Sequence, residues 1–271
     1  MGRITMYEEY WGLKERPFEN TPDPKFFYNS KQHEEGLARM LYVVRESKGA
    51  GLLTGVYGCG KTLLSRALMK ELEQDVYKLA IINNPRLDDL ELLKMIAHNL
   101  GIQPPPTRKA DVLIAMENTL KNNLADGKKT VVVIDEAHVI EDKNIFEEIR
   151  LLLNFQSENK FLLTLLLIGQ PELKERIEGI KQLSQRIAMK FHLEALTREE
   201  LPRYIEHRLT IAGAQNRIFE QGVFPIIYER SGGIPRRINQ ICDSALLVGY
   251  GKEISGINTE TIKETIQSLS L

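Results

Sequence analysis

The sequence contains little cysteine, no surplus of basic charge and no long apolar run. Cys59 and Cys242 are the two cysteines among 271 residues, and so few thiols are typical of a reduced intracellular protein. The 36 Lys and Arg residues are balanced by 37 Asp and Glu residues, which gives a net charge of -1. The chain therefore lacks the bulk basic field that indicates nucleic-acid binding, and any such binding would have to be local.

The apolar runs of the sequence are too short for a membrane span. The longest purely aliphatic stretch lies near residues 165–168, whereas a spanning helix needs about 20 apolar residues. The N-terminal segment MGRITMYEEY has no apolar signal region, and the residues after Gly2 lack the Ser or Thr of a myristoylation signal. We therefore expect a cytoplasmic protein without a transmembrane segment.

Residues 52–68, LLTGVYGCGKTLLSRAL, have the pattern of a phosphate-binding loop between a strand and a helix. Its glycines allow φ > 0, so that backbone N–H groups and the helix N-terminus can point at an anion. Lys61 is expected on the β and γ phosphates of a nucleotide, and Thr62 on Mg²⁺. The alternative is a glycine turn that fits the pattern by chance. The predicted nucleotide-binding residues are Gly55, Val56, Tyr57, Gly58, Cys59, Gly60, Lys61, Thr62 and Leu63.

A second motif follows the β-branched run TVVVI at 130–134, which predicts a strand buried on both faces. We expect Asp135 to hold Mg²⁺ through a bound water and Glu136 to orient and polarise the attacking water. Buried strands rarely end in paired carboxylates without a cation, so this motif argues against the chance turn. Together with Ala137 and His138 the pair also matches a helicase box, but a helicase core needs two such domains. His138 is interpreted as a supporting or packing residue.

Five apolar segments alternate with helical patterns, which predicts an α/β fold with a doubly wound, five-stranded parallel sheet. The strands are expected directly before Gly55 and near 76–82, 130–134, 161–168 and 191–193. From Thr197 the strand pattern stops, and four helices are expected. Thr197 with Glu200 predicts a capping box at the start of the first of them. The predicted domains are an N-terminal arm over 1–32, a nucleotide-binding domain over 33–196 and a helical lid over 197–271.

The predicted arm is rich in aromatic residues and prolines, and prolines at that density exclude a regular helix. Two interpretations remain open for Pro17 and Phe18: packing on the main domain, or flanking a nucleotide base. Packing is favoured for the other aromatic residues of the arm.

With these motifs the sequence resembles an AAA+ ATPase, a P-loop fold with a C-terminal helical lid. Gln170 falls at the position of the polar sensor-1 residue, and Asn83 at that of a residue that restrains the catalytic glutamate. Arg186 matches the arginine finger that reaches the γ-phosphate of a neighbouring subunit, and Arg236 matches the sensor-2 arginine of the lid. The catalytic residues that the resemblance implies are Lys61, Glu136, Arg186 and Gln170, with Arg236 as a nucleotide contact.

Whole segments, among them YWGLKERPFENTPDPKFFY and SGGIPRRINQICDSALL, are similar to the ExeA (GspA) family of general-secretion ATPases, which has relatives in pilus biogenesis. Two departures matter. Cys59 replaces the usual Thr, at a position that contributes mainly its backbone. The sequence also stops after the lid, without the transmembrane and peptidoglycan-binding regions of full-length members, which puts direct cell-wall contact in doubt.

The resemblance implies an ATP hydrolase, dependent on ATP and Mg²⁺, that drives or switches assembly of a secretion or type IV pilus-like system. It implies a homo-oligomer with Arg186 acting across the interface, and peripheral attachment to the inner membrane through a partner. The alternative is a DNA-associated AAA+ regulator of the transposition target-selection type, and a small-molecule kinase is the third interpretation. The basic lid residues that favour DNA are Arg203, Arg208, Arg217, Arg236 and Arg237.

Overall fold

The computed structural model of the protein describes residues 7–158 and 160–269. Over these residues the chain forms two compact units. The α/β unit contains Glu34–Tyr57 and Leu64–Leu193, and the helical unit contains the residues up to His33, Gly58–Leu63 and those from Glu194 on. The ends of the predicted arm and lid, residues 1–6 and 270–271, lie outside the described residues, as does the Gly2 position considered for lipidation.

The described part of the α/β unit contains seven strands: β1 (Ala50–Gly55), β2 (Tyr77–Ile82), β3 (Lys129–Ile134), β4 (Gln156–Ser157), β5 (Lys160–Phe161), β6 (Leu163–Gly169) and β7 (Ile187–Leu193). Five of them form a parallel sheet in the order β2-β3-β6-β1-β7. The remaining two, β4 and β5, form a separate antiparallel pair. The predicted α/β fold with a five-stranded parallel sheet is confirmed.

Two strand boundaries differ from the prediction. Phe161 pairs with Gln156 in the β4–β5 pair, so β6 begins only at Leu163. Strand β7 begins at Ile187 rather than near 191, because its backbone already pairs with β1 there. As an edge strand β7 has one unpaired side and tolerates exposed polar residues, which hide it from a search for apolar runs. By contrast, every residue of β1 and β6 is buried, as interior parallel strands require.

The helices that accompany these strands are α1 (Lys31–Arg45), α2 (Lys61–Lys70), α3 (Asp89–Asn99), α4 (Lys109–Ala125), α5 (Lys143–Leu152), α6 (Pro171–Glu178) and α7 (Lys181–Ser184). Helix α5 has a helical apolar period and buries Ile145, Phe146, Ile149 and Leu152 on one face. Burying each such side chain stabilises the fold by about 1.5–3 kcal/mol. A short 3-10 turn, Ala137–Val139, follows β3 and the acidic pair.

The helical unit contains α8 (Glu200–Ile211), α9 (Val223–Ser231), α10 (Pro235–Gly251) and α11 (Thr259–Ser268), in the predicted order. The predicted capping box forms before α8. The N–H of Glu200 donates to Thr197 Oγ1 at 3.3 Å, and the N–H of Thr197 donates to Glu200 Oε2 at 3.0 Å. These two bonds satisfy backbone donors that the first turn of a helix leaves unpaired. None of the described helices is long and apolar enough to cross a membrane.

The arm packs on the helices of its own unit. Trp11 Nε1 donates to the carbonyl of Leu246 at 3.0 Å. Phe18 is 2% exposed and lies edge-to-face with Phe219, with ring centroids 6.1 Å apart, which favours packing over contact with a base. Arg208 is 5% exposed and donates to carbonyl groups of the arm, so it belongs to the interior and not to the basic surface considered for DNA.

Candidate nucleotide-binding site

The parallel sheet brings the ends of three strands to one edge. Thr54 of β1 is aligned with Gly169 of β6, and Ile134 of β3 is aligned with Leu167 of β6. The residues that follow these strands, Gly55, Asp135 and Gln170, therefore leave the sheet at the same carboxyl edge, where ligands of open α/β sheets bind. The N–H of Asp135 donates to the carbonyl of Ile82 at 2.8 Å, which anchors the acidic pair to β2.

The phosphate loop turns through two left-handed glycines directly before α2. Gly58 has φ 84 and Gly60 has φ 102, values that residues with a Cβ rarely adopt. Lys61 follows as the first residue of α2 and is 6% exposed. This succession of a glycine turn and a helix N-terminus is the backbone geometry that presents N–H groups to a phosphate, so the loop fits the predicted nucleotide. Val56 and Tyr57 are exposed at 37% and 58%.

Arg236 lies beside the loop within the helical unit. Its backbone N–H donates to the carbonyl of Gly58 at 3.2 Å. A Cβ atom on Gly58 would lie 2.7 Å from the Cβ of Arg236, so the close approach needs glycine. The start of α10, where the sequence predicts a nucleotide contact, thus touches the loop directly. Burial raises the pKa of the Cys59 thiol, so the thiol stays protonated. A protonated, buried thiol agrees with a position that contributes mainly its backbone.

His33 supports the loop from the arm side, a contact that the sequence did not indicate. Its Nδ1 lies 2.7 Å from Ser30 Oγ, and its Nε2 lies 2.9 Å from the point that a Cβ atom on Gly60 would occupy. Burial, opposed by hydrogen bonding to the Cys59 backbone, lowers the pKa of His33 to about 4. His33 is therefore neutral at physiological pH. A buried neutral imidazole can pack against the predicted phosphate loop without placing a charge of its own there.

The acidic pair after β3 forms a second group of polar contacts, within the α/β unit. Glu136 has a left-handed backbone, φ 54 and ψ 27, and its N–H donates to Asp135 Oδ1 at 2.9 Å. Its carboxylate Oε2 lies 3.4 Å from His138 Nδ1. The other ring nitrogen, His138 Nε2, lies 2.8 Å from Gln170 Nε2. The structure therefore brings Glu136 and Gln170 together through His138, while Asn83 is exposed after β2.

Arg186 precedes β7 and is held by the α/β unit. One guanidinium nitrogen donates to the carbonyl of Leu153 at 3.0 Å, and the other terminal nitrogen donates to Asn154 Oδ1 at 2.9 Å. Lys48 and Arg150 line the same open depression as Arg186. The guanidinium is thus held by two hydrogen bonds beside two other basic side chains.

Comparison with known proteins identifies the fold. Residues 44–177 match the AAA domain family. The Aeropyrum pernix ORC2 protein in ADPNP-ADP complexes has a TM-score of 0.71 at 20% identity, covering 94% of this chain and 71% of that chain. The Thermotoga maritima RuvB Holliday junction branch migration motor has a TM-score of 0.58 at 18% identity, covering 90% of this chain and 70% of that chain. The fold is therefore that of the P-loop AAA+ ATPases.

A known protein is similar to this chain in sequence. The chain is 38% identical over 253 residues to General secretion pathway protein A of Aeromonas hydrophila, a match that covers 91% of this chain. It confirms the resemblance to the ExeA/GspA family that the sequence indicates. The chain spans 45% of the length of that relative.

Proposed function

We propose that this protein binds ATP and hydrolyses it to ADP and phosphate. The observation that carries the proposal is the phosphate loop, in which left-handed Gly58 and Gly60 lead into Lys61 at the start of α2. Magnesium, when bound, supplies the charge that neutralises the phosphates, and Thr62 and Asp135 are the residues that would hold it. Asp135 is 4% exposed, and a carboxylate so buried is stabilised by a cation.

Each remaining residue has a role in this proposal. Lys61 binds the β and γ phosphates, and Arg236 contacts the nucleotide from the first turn of α10. Glu136 orients and polarises the attacking water, since its side chain is partly exposed, at 39%, next to the strand end. Gln170 supplies an amide at the same edge of the sheet.

The proposed active site is completed by a second copy of the chain. Arg186 is held at a basic surface by Leu153 and Asn154, and the resemblance to AAA+ ATPases implies that it reaches the phosphate of a neighbouring subunit. An arginine supplied by a neighbour accelerates phosphoryl transfer by about 10³- to 10⁵-fold. The proposed assembly is therefore a homo-oligomer.

Two variants and two matched controls would test hydrolysis. Lys61→Ala is expected to lose binding of a fluorescent ATP analogue. Glu136→Gln is expected to keep that binding while kcat for phosphate release falls by about 10²- to 10⁴-fold. Two exposed residues to which no role is assigned, in Lys70→Ala and Glu141→Gln, should leave both measurements unchanged. Wild-type turnover by Glu136→Gln would remove the assigned role of this residue.

The cellular role proposed is to drive or switch assembly of a secretion or type IV pilus-like system from the cytoplasmic side of the inner membrane, through a partner. Support comes from the similarity to General secretion pathway protein A. A strain lacking this protein should lose secretion or piliation, and wild-type but not Glu136→Gln should restore it. Normal secretion and piliation in that strain, together with salt-dependent duplex DNA binding by the protein, would favour the DNA-regulator alternative instead.

A further inference from the structure

His138 lies between two residues of the proposed catalytic edge and has a buried nitrogen without a hydrogen-bond partner. Its Nδ1 is within 3.4 Å of Glu136 Oε2, and its Nε2 is 2.8 Å from Gln170 Nε2. The side chain of His138 is 15% exposed, and its Nδ1 is inaccessible to solvent and makes no hydrogen bond to a described residue. A buried polar atom of this kind destabilises the fold unless a partner approaches.

The contacts with Gln170 and Glu136 together favour one tautomer of the imidazole. The amide nitrogen of Gln170 can only donate, so His138 Nε2 accepts and the ring proton lies on Nδ1. This Nδ1–H faces the Glu136 carboxylate, which can only accept when ionised. If the Gln170 amide were rotated by 180°, its oxygen would face His138 Nε2 and the ring proton would have to lie on Nε2. The Nδ1 lone pair would then face the Glu136 carboxylate. Electrostatics therefore favours the Nδ1–H tautomer.

The backbone on both sides of His138 is fixed. Arg176 of α6 donates to the carbonyl of His138 at 2.7 Å and also to the carbonyl of Ile140. Glu136 is in the left-handed conformation, which destabilises a residue with a Cβ by about 1 kcal/mol or more. Strained backbone of this kind persists where surrounding contacts hold it, and it concentrates at functional sites.

We infer that His138 is a positioning residue that orients the Glu136 carboxylate and couples it to Gln170. The Nδ1–H faces Glu136 Oε2 at 3.4 Å, so a small turn of the carboxylate closes a hydrogen bond to one oxygen and leaves the other to face the attacking water. A movement of Gln170 toward or away from the sheet edge changes the hydrogen bond to Nε2 and, through the ring, the approach of Nδ1–H to Glu136. The inference rests on the proposed ATPase function for its catalytic consequence, while the tautomer is independent of activity.

Steady-state kinetics separates positioning from packing. His138→Leu keeps the volume and removes both ring contacts, and kcat should fall about tenfold with the KM for ATP unchanged, the size of one hydrogen bond to a charged group. His138→Asn retains a donor near the Nδ1 position and should recover most of this loss. His98→Asn, on the exposed face of α3, is the matched control and should behave as wild type. Equal activity of the Leu variant, the Asn variant and wild type would overturn the inference.

A double-mutant cycle tests the coupling. In a His138→Leu background, Gln170→Ala should lower kcat by less than it does in the wild-type background, because part of the effect of Gln170 passes through the ring. Strict additivity of the two substitutions contradicts the coupling. If instead the wild-type protein hydrolyses no ATP, the proposed function fails, and the two failures are thereby distinguished.

The imidazole tautomer gives a readout that needs no turnover. Nitrogen-15 spectra of the wild-type protein near pH 8 should show the His138 ring protonated at Nδ1, in contrast to the Nε2–H form common in water. Its assignment comes from the signal lost in His138→Asn or, should that variant not fold, in His138→Gln. The Nδ1–H population should fall in Gln170→Ala. An Nε2–H form for His138 in the wild-type protein would overturn the inference.

Discussion

At the scale of single residues, His33 links the arm to the phosphate loop. It is 5% exposed, hydrogen-bonded to Ser30 and packed edge-to-face with the ring of Phe27, with centroids 5.6 Å apart. Burial opposes protonation, because an imidazolium would lose its hydration without gaining a paired carboxylate. The neutral ring is therefore part of what keeps Gly60 in place.

The stability of the fold should depend on pH through His33. Its pKa is about 4 in the folded protein, against 6.5 for an exposed histidine, so protonation favours the unfolded chain. The stabilisation is complete above about pH 6.5 and is lost as the pH falls from there toward about pH 4. Between about pH 8 and about pH 5, the free energy of unfolding of wild type should fall by about 2 kcal/mol more than that of His33→Asn.

Urea unfolding at several pH values measures this difference. His98→Asn, which removes an exposed histidine, is the control, and its pH dependence should parallel that of wild type. Parallel curves for wild type and His33→Asn would show that the titration of His33 is not linked to folding.

At the scale of elements, α8 holds the arm through one buried cation. Arg208 donates to the carbonyl of Glu19 at 3.0 Å, to the carbonyl of Pro17 and to the hydroxyl of Tyr204 at 3.0 Å. Its guanidinium also lies 4.9 Å from the ring centroid of Phe26, within the range of a cation–π interaction. One side chain therefore satisfies carbonyl groups that an arm without regular structure leaves unpaired.

Arg208→Met should lower the free energy of unfolding by about 2 to 4 kcal/mol, because buried carbonyl groups lose their donor. The arm should also become more susceptible to limited proteolysis. Arg217→Met removes a surface ion pair with Glu206, in which the two side chains are 53% and 50% exposed, and should change stability by less than about 0.5 kcal/mol. Equal stability of the two variants would contradict a structural role for Arg208.

The elements that have strong local sequence patterns were predicted from the sequence. The β-branched run before Asp135 predicts an interior strand, and Thr197 with Glu200 predicts a helix start, because both signals lie within a few residues. The β4–β5 pair was missed because strands of two residues carry no period. The same limit applies to the site. The phosphate loop is a local motif, whereas the contacts of His33 with Gly60 and of His138 with Gln170 join distant segments.

At the scale of the whole molecule, the proposed trans role of Arg186 predicts complementation between inactive variants. Arg186→Ala lacks the donated arginine but keeps Glu136, and Glu136→Gln has the opposite defect. In a random assembly of equal parts, about one quarter of the sites combine an intact Glu136 with an intact Arg186 from the neighbour. ATPase activity of the mixture should therefore rise to about a quarter of the wild-type value.

Mixing Arg186→Ala with Lys61→Ala provides a second pair with the same expectation, since Lys61 and Arg186 would belong to different subunits of a site. Mixing two preparations of Arg186→Ala is the control and should remain inactive. Activity of the mixture equal to the mean of its two components, at every protein concentration, would contradict a site shared between copies.

The helical unit is assembled from three separated stretches of chain, with Gly58–Leu63 as the middle one. During synthesis this stretch is made long before Arg236, whose N–H binds the Gly58 carbonyl. At about 5–20 residues per second, the interval between residues 63 and 236 is about 9 to 35 s. A nascent chain therefore carries its phosphate loop for many seconds without the residue that contacts it from α10. In the proposed function, the nucleotide contact from Arg236 therefore becomes available only after the start of α10 has been made.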